Sequence, residues 1–70
     1  MILTDGTHLV SDRSHNELHK FARKMGLKPE WFQRGRIPHY DLTTQNALRR
    51  AQERGAVWVD GKELVRRAIR

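Results

Sequence analysis

The absence of cysteine from a chain of only 70 residues restricts its fold more than any other feature. A domain of this size obtains only about 3–5 kcal/mol from one hydrophobic core, so small domains commonly add disulfides, a metal or self-association. Disulfides and cysteine-ligated zinc sites both need thiols, and both are therefore excluded. We predict a single domain over residues 1–70 that forms a homo-oligomer.

The first third of the chain predicts a hairpin followed by a helix. Asp5 and Gly6 separate two short apolar runs, and this dipeptide favours the positive φ angles of a two-residue turn. A helix then begins at Ser14, which is spaced from Glu17 as in a capping box, and it ends at Gly26. The apolar face predicted for this helix contains Leu18, Phe21, Ala22 and Met25.

The last third predicts two more helices and one more strand. A helix over residues 43–54 is capped by Asp41 or Thr43, and the run 56–59 reads as a buried strand. Asp60 then caps a final helix. The predicted fold class is α+β, with a three-stranded sheet made of the hairpin and the later strand. About three helices cover this sheet, in the order β-β-α-α-β-α.

The charge balance favours anionic partners. Fourteen Lys and Arg residues stand against eight Asp and Glu residues, which gives a formal net charge of +6. Such a balance suits nucleotides or nucleic acid. No apolar run approaches the length of about 20 residues that crosses a membrane, and the residues after Met1 lack the segments of a signal peptide. We therefore expect a cytoplasmic protein without a membrane partner.

The loop between the first two helices carries the best candidates for binding phosphate. Arg34 and Arg36 flank a glycine, and two guanidinium groups so spaced can bracket one phosphate. His39, Tyr40 and Asp41 follow directly and lead into a helix start, where donors for an anion are also found. The alternative is purely structural: Asp41 caps the helix, Tyr40 packs and His39 holds the loop.

Two aromatic residues precede these arginines, and they allow two interpretations. Trp31 and Phe32 can stack on a base, as aromatic side chains do in nucleic-acid sites. In so small a domain they more often belong to the core, and we predict that they are buried.

A second set of residues suggests acid–base chemistry. Asp5, His19, His39 and Asp41 are the candidate catalytic residues, with Asp41 orienting the imidazole of His39. The alternative for Asp5 is that it only forms the turn with Gly6 and has no catalytic role. His15 and His19 have the spacing of paired metal ligands, but Asn16 stands where a zinc-protease helix needs glutamate. We therefore predict no metal site and no cofactor.

Four segments, NELHKFARKMGL, WFQ, PHYDLT and GAVWV, together resemble the domain-of-unknown-function 4031 family of bacteria and phages. The resemblance covers nearly the whole chain and implies a set of shared positions, without an activity. It also implies a second acidic residue where Gly6 stands, and a longer basic segment before the second strand. The shared positions are Asp5, Glu17, Leu18, His19, Phe21, Ala22, Gly26, Trp31, Phe32, Gln33, Pro38, His39, Tyr40, Asp41, Gly55 and Ala56.

Three functions remain open on the sequence. The first is a small basic protein that binds a phosphate-bearing ligand, chiefly a nucleotide, in a pocket formed by a homo-oligomer; it would sequester a signalling nucleotide. The second is a small enzyme that acts on a nucleotide or phosphate ester. The third is a nucleic-acid-binding accessory protein that uses its arginine-rich faces.

Overall fold

The computed structural model describes residues 1–70 as a four-stranded mixed sheet with three α-helices. The strands are β1 (Ile2–Thr4), β2 (His8–Ser11), β3 (Tyr40–Asp41) and β4 (Val57–Trp58). The helices are α1 (His15–Met25), α2 (Gln45–Glu53) and α3 (Gly61–Arg67), with a 3-10 turn at Pro29–Trp31. The sheet order is β3-β2-β1-β4, antiparallel except for the parallel pair of β1 and β4.

The α+β class is confirmed, but the prediction of three strands is wrong because β3 was missed. This strand is only two residues long, and its place in the chain resembles a loop that leads into a helix. It exists because β2 offers it hydrogen-bonding partners: Leu9 lies opposite Tyr40. The amide of Leu42 also donates to the carbonyl of Thr7 at 2.8 Å. These contacts join distant parts of the chain, so no local pattern reports them.

The hairpin is confirmed, but its turn is longer than two residues. The last paired positions are Thr4 and Leu9, so the connection is wider than an Asp-Gly turn. The Asp5 carboxylate accepts hydrogen bonds from the amides of Thr7 at 3.0 Å and His8 at 2.9 Å. An aspartate that binds amides two and three residues ahead shapes a loop by itself. Asp5 therefore sets the path of this connection.

Gly6 in the same loop cannot be replaced freely. Its φ is +103°, a backbone conformation that side chains with a Cβ disfavour. A Cβ at this position would also lie 2.8 Å from the Trp58 ring. The loop thus packs its backbone directly against an indole.

Helix α1 begins and ends as predicted. The Ser14 hydroxyl accepts from the amide of Glu17 at 3.1 Å, and Gly26 ends the helix with a φ of 88°. The Glu17 side chain departs from a capping box, because it accepts from the Ser11 hydroxyl. Phe21 is only partly buried and packs against the core. The fully buried face of α1 consists of Leu18, Ala22 and Met25.

Helix α2 is capped by a residue that the sequence did not single out. Thr44 accepts from the amide of Ala47 at 3.0 Å, whereas Asp41 lies in β3, so the predicted caps at Asp41 or Thr43 are wrong. The helix starts two residues later than predicted, at Gln45, because the chain is still extended in β3 at Asp41 and at the cap residue Thr44. Helix α3 is capped by Asp60, as predicted.

Two predictions of burial are wrong. Within the run 56–59, the two residues of β4 are exposed, with 40% of Val57 and 54% of Trp58 accessible, because β4 is an edge strand. Ala56 is buried as predicted, and Val59 is partly buried. Trp31 is 49% exposed, since a short 3-10 turn places its ring on the surface. Phe32 is partly buried and packs against the core, nearer to what was predicted.

The sheet separates two apolar clusters. Alternate residues of a strand face opposite sides. Leu9 and Tyr40 belong to the larger cluster, which α1 and α2 cover. Leu3 and Val10 belong to a smaller cluster with Leu64 of α3. We call the side of the sheet that packs on α3 the α3 face. No helix is both long and apolar enough to cross a bilayer.

The larger cluster predicts a strong dependence of stability on Leu18, whose side chain is fully buried. We expect Leu18→Ala to lower the free energy of unfolding by about 2–5 kcal/mol, since it leaves a cavity. Chemical denaturation followed by circular dichroism measures this loss. Val57→Ala on the exposed edge is the control, with an expected change within about 0.5 kcal/mol. Equal changes in both variants would contradict the described core.

Candidate functional site

The His39-Tyr40-Asp41 segment is extended, so its side chains alternate between the two faces of the sheet. His39 and Asp41 flank Tyr40, so they face the side opposite to its buried ring. His39, the residue before β3, forms an isolated antiparallel bridge with Gln33. His8 of β2 lies directly opposite Asp41, and opposed residues share a face. Three potential ligand-binding side chains therefore meet on the α3 face.

The His39 imidazole is held at both nitrogens. Its Nδ1 lies 2.7 Å from the carbonyl oxygen of Ile37, and because a carbonyl only accepts, Nδ1 carries a proton. Its Nε2 lies 3.1 Å from Oδ1 of Asp41. The other oxygen of Asp41 accepts from the side-chain amide of Gln33 at 3.3 Å. The arrangement is that of an imidazole oriented by a carbonyl and paired with a carboxylate.

His8 forms a second imidazole–carboxylate pair, with Asp5. Its Nδ1 lies 3.0 Å from Oδ2 of Asp5. Burial raises the pKa of Asp5, but hydrogen bonds from the His8 ring and from the amides of Thr7 and His8 outweigh it and lower the pKa to about 2. Asp5 is therefore ionised at neutral pH and can only accept, so the Nδ1 of His8 donates.

The two pairs converge. The His8 and His39 rings meet edge to face with centroids 5.1 Å apart. One ligand atom from each of His8, His39 and Asp41 lies within 4.8 Å of the other two. We call this group the His8–His39–Asp41 cluster. Imidazole and carboxylate are ligands for first-row divalent metals, so these are the residues of the chain that could hold a metal ion.

A cavity of about 440 Å³ lies between the α3 face and helix α3, and we call it the α3 cavity. Its size falls within the range of small-molecule sites. Polar groups come from the β1–β2 loop, from β2 and from the segment before β3, whereas α3 contributes apolar groups. Its lining is Asp5, His8, Val10, Gly35, Arg36, Ile37, His39, Gly61, Leu64 and Val65.

Several predicted site residues lie on the other side of the sheet. His19, Phe32, Arg34 and Tyr40 line a separate cavity of about 500 Å³ beside α1. The guanidinium of Arg34 lies 5.7 Å from the centroid of the Phe32 ring, a cation–π contact. The two arginines around Gly35 therefore line different cavities.

His19 and Tyr40 form a hydrogen bond of 2.7 Å between Nδ1 and the phenolic oxygen. Burial lowers the pKa of His19, with further contributions from His15, Arg34 and Arg23. Burial raises the pKa of Tyr40. Both groups are therefore neutral at pH 7. This hydrogen bond joins α1 to β3 and so holds the helix on the sheet.

Trp31 lies apart from both groups. It lines a third cavity of about 320 Å³, which also touches the outer side of Asp41. Lys28 stands 5.7 Å from the centroid of its ring. The structure therefore brings Asp5, Arg36 and His39 together in the α3 cavity, and it places Trp31 in another cavity, which Asp41 also lines.

Sequence reasoning missed His8. Its position in a short strand carries no motif, and its role appears only through the register that places it opposite Asp41. Two sequence features point to His8 as a site residue. His8 comes three residues after Asp5, and it lies two positions before the buried Val10. Strand alternation predicts that His8 and Val10 share a face, but whether Asp5 lies near that face depends on the geometry of the loop.

The Asp5–His8 pair predicts a dependence of stability on acid pH. The pKa of Asp5 falls from its ordinary value of 3.8 to about 2 in the fold. Its ionised form therefore stabilises the fold above pH 3.8, and this contribution is lost as the pH falls through about 2. A carboxyl ¹³C NMR titration in metal-free buffer measures the pKa. In His8→Ala we expect the midpoint to rise part of the way, because the backbone hydrogen bonds remain; an unchanged midpoint would contradict the pairing.

A family model described as "Protein of unknown function (DUF4031)" matches residues 4–70. The match includes the loop of Asp5, the strands β2 and β3, and helix α3. No curated protein and no solved structure matches the chain. Since the matched segment covers nearly all of the sequence and every residue of the α3 cavity, the chain belongs to the DUF4031 family.

Proposed function

We propose that the α3 cavity binds a small phosphate-bearing ligand of the nucleotide type. The observation that carries this proposal is that Arg36, His8 and His39 line one cavity of about 440 Å³. Arg36 is exposed and has no carboxylate partner, whereas Arg66 and Arg67 are paired with acidic side chains. A guanidinium without a partner is available for the bidentate hydrogen bonds that phosphate accepts.

The rest of the cavity suits the other parts of a nucleotide. Ile37, Leu64 and Val65 give it an apolar wall, which can cover a base. Asp5 is ionised, so it repels phosphate but accepts hydrogen bonds from sugar hydroxyls. The ligand is thus oriented with its phosphate at Arg36 and its sugar at Asp5. This wall replaces the aromatic residues that the sequence suggested for the base.

The lining residues of the α3 cavity named above belong to one chain, and the prediction that the pocket forms in a homo-oligomer rests on the sequence alone. Self-association therefore stays a prediction from the small size of the chain. The sequestration of a signalling nucleotide and the cytoplasmic location also stay predictions.

Arginine substitutions test the binding proposal. We expect Arg36→Ala to weaken nucleotide binding roughly ten- to a hundredfold, because it removes a charge-assisted contact of about 1.5–3 kcal/mol. Arg34→Ala is the matched control, since it removes the same charge two residues away but on the other cavity. Calorimetric titration with AMP and ADP measures both.

Two outcomes would count against this site. Equal losses in Arg36→Ala and Arg34→Ala, with a steep dependence on salt, would indicate diffuse binding of nucleic acid instead. No loss in Arg36→Ala would show that the α3 cavity does not hold the phosphate.

The convergence of two imidazole–carboxylate pairs favours a second candidate function, a phosphate-ester hydrolase. His39 has its Nδ1 fixed by Ile37 and its Nε2 at Asp41, so a proton can move at Nε2. A positioned imidazole of this kind serves as a general acid or base. Water would be the nucleophile, because the cavity lining contains no serine, threonine or cysteine.

Turnover distinguishes this second candidate from simple binding. We expect a hydrolase to release inorganic phosphate from nucleoside phosphates, and His39→Gln to reduce the rate by about 10²–10⁴-fold. His15→Gln on α1 is the control, since it lies outside the cavity lining. If the parent binds nucleotide but releases no phosphate, the hydrolase candidate is wrong and only the binding proposal stands.

A further inference from the structure

We infer that His8, His39 and Asp41 form a binding site for a divalent first-row metal ion of the Zn²⁺ type, at the edge of the α3 cavity. The sequence predicts no metal site, because only His15 and His19 have the spacing of paired metal ligands in it. This inference does not depend on nucleotide binding, since it concerns the metal alone.

The donor atoms have suitable types and spacing. Zinc binds imidazole nitrogen and carboxylate oxygen at about 2.0–2.2 Å, which places two ligands of a tetrahedral ion roughly 3.3 Å apart. Nε2 of His39 and Oδ1 of Asp41 are 3.1 Å apart. All three donor atoms lie within 4.8 Å of one another. Small side-chain rotations are therefore enough to close the site around an ion.

The second nitrogen of each histidine supplies independent support. Histidines that bind metals almost always donate their other ring N–H to a carboxylate or a backbone carbonyl, which fixes the tautomer. His8 donates from Nδ1 to the Asp5 carboxylate, and His39 donates from Nδ1 to the carbonyl of Ile37. With Nδ1 engaged in this way, Nε2 is the nitrogen of each ring that remains for a metal ion. At His39 this nitrogen lies 3.1 Å from Oδ1 of Asp41, and a bound ion would take the place of a proton between them.

The sheet holds the three ligands in place. Asp41 and His8 are cross-strand partners, and His39 lies two residues before Asp41 on the same face. Only the pairing of two strands is needed to assemble the site. A metal on this scaffold is bound by three protein groups, which leaves a position for water or a ligand oxygen. Since His8 and His39 line the α3 cavity, that position adjoins the cavity.

The other two histidines have different partners. Nε2 of His15 lies 3.4 Å from the carbonyl oxygen of Ile69. Nδ1 of His19 is hydrogen-bonded to the Tyr40 phenolic oxygen at 2.7 Å. They are four residues apart on α1, but no carboxylate joins them in a three-residue cluster. His15 therefore offers a matched control for each histidine of the proposed site.

Titration with Zn²⁺ alone, followed by calorimetry, tests the inference on the metal-free protein. We expect one ion per chain. His8→Ala and His39→Ala should each weaken binding by more than about 100-fold, since loss of even an outer partner costs about 10–100-fold. Asp5→Asn should weaken it by about tenfold. His15→Ala should bind as the parent does. Mg²⁺ should bind far more weakly, because it prefers an all-oxygen set.

Co²⁺ provides a second readout that does not depend on variants. The folded parent should show the visible absorption of nitrogen- and oxygen-ligated Co²⁺, and Zn²⁺ should abolish it by displacement. Circular dichroism establishes which variants are folded. No binding of either ion to the parent, or an equal loss in His15→Ala, would overturn the proposal. Arg36→Ala should retain metal binding, so a failure of nucleotide binding is distinguishable from a failure of this site.

Discussion

The antiparallel pairing of β2 with β3 is the interaction on which the site depends. It places Leu9 opposite Tyr40 on the core side and His8 opposite Asp41 on the α3 face. The Tyr40 side chain fixes this register, because it is buried and bonded to His19. A slip of one residue would exchange the two faces and bury the charged groups. A single aromatic side chain thus decides where the polar groups of its neighbours lie.

Local patterns predicted local structure, and they failed where distant segments meet. The limits of α1 follow from Ser14 and Gly26, which act within one turn of their own backbone. The strand β3 has no such signal, since its hydrogen bonds come from β2, some thirty residues earlier in the chain. Arg34 and Arg36 illustrate the same limit for the site. They are neighbours in sequence, but the chain bends between them and sends them to different cavities. Only the three-dimensional arrangement could add His8 and remove Arg34.

The charges of the α3 cavity connect the two proposals. Arg36 lines this cavity together with Asp5, and a second carboxylate, Asp41, is paired with His39. The carboxylates offset part of the attraction that Arg36 exerts on an anionic ligand. A divalent ion on the His8–His39–Asp41 cluster adds two positive charges and strengthens this attraction, because a bound ion is often the largest local charge in a site. The metal and the phosphate-bearing ligand would then favour each other's binding.

The contact between Gly6 and Trp58 constrains how this chain can change. The family resemblance implies an acidic residue at position 6, where a Cβ would now lie 2.8 Å from the indole and the backbone has a φ of +103°. Gly6→Asp alone therefore meets both a strained backbone and a filled space. The near atom belongs to the outer end of the Trp58 ring, and this side chain is 54% exposed, so the ring can move aside. The φ of +103° remains, and a return to a paired acid in this loop therefore requires a new backbone path and not only a new side chain.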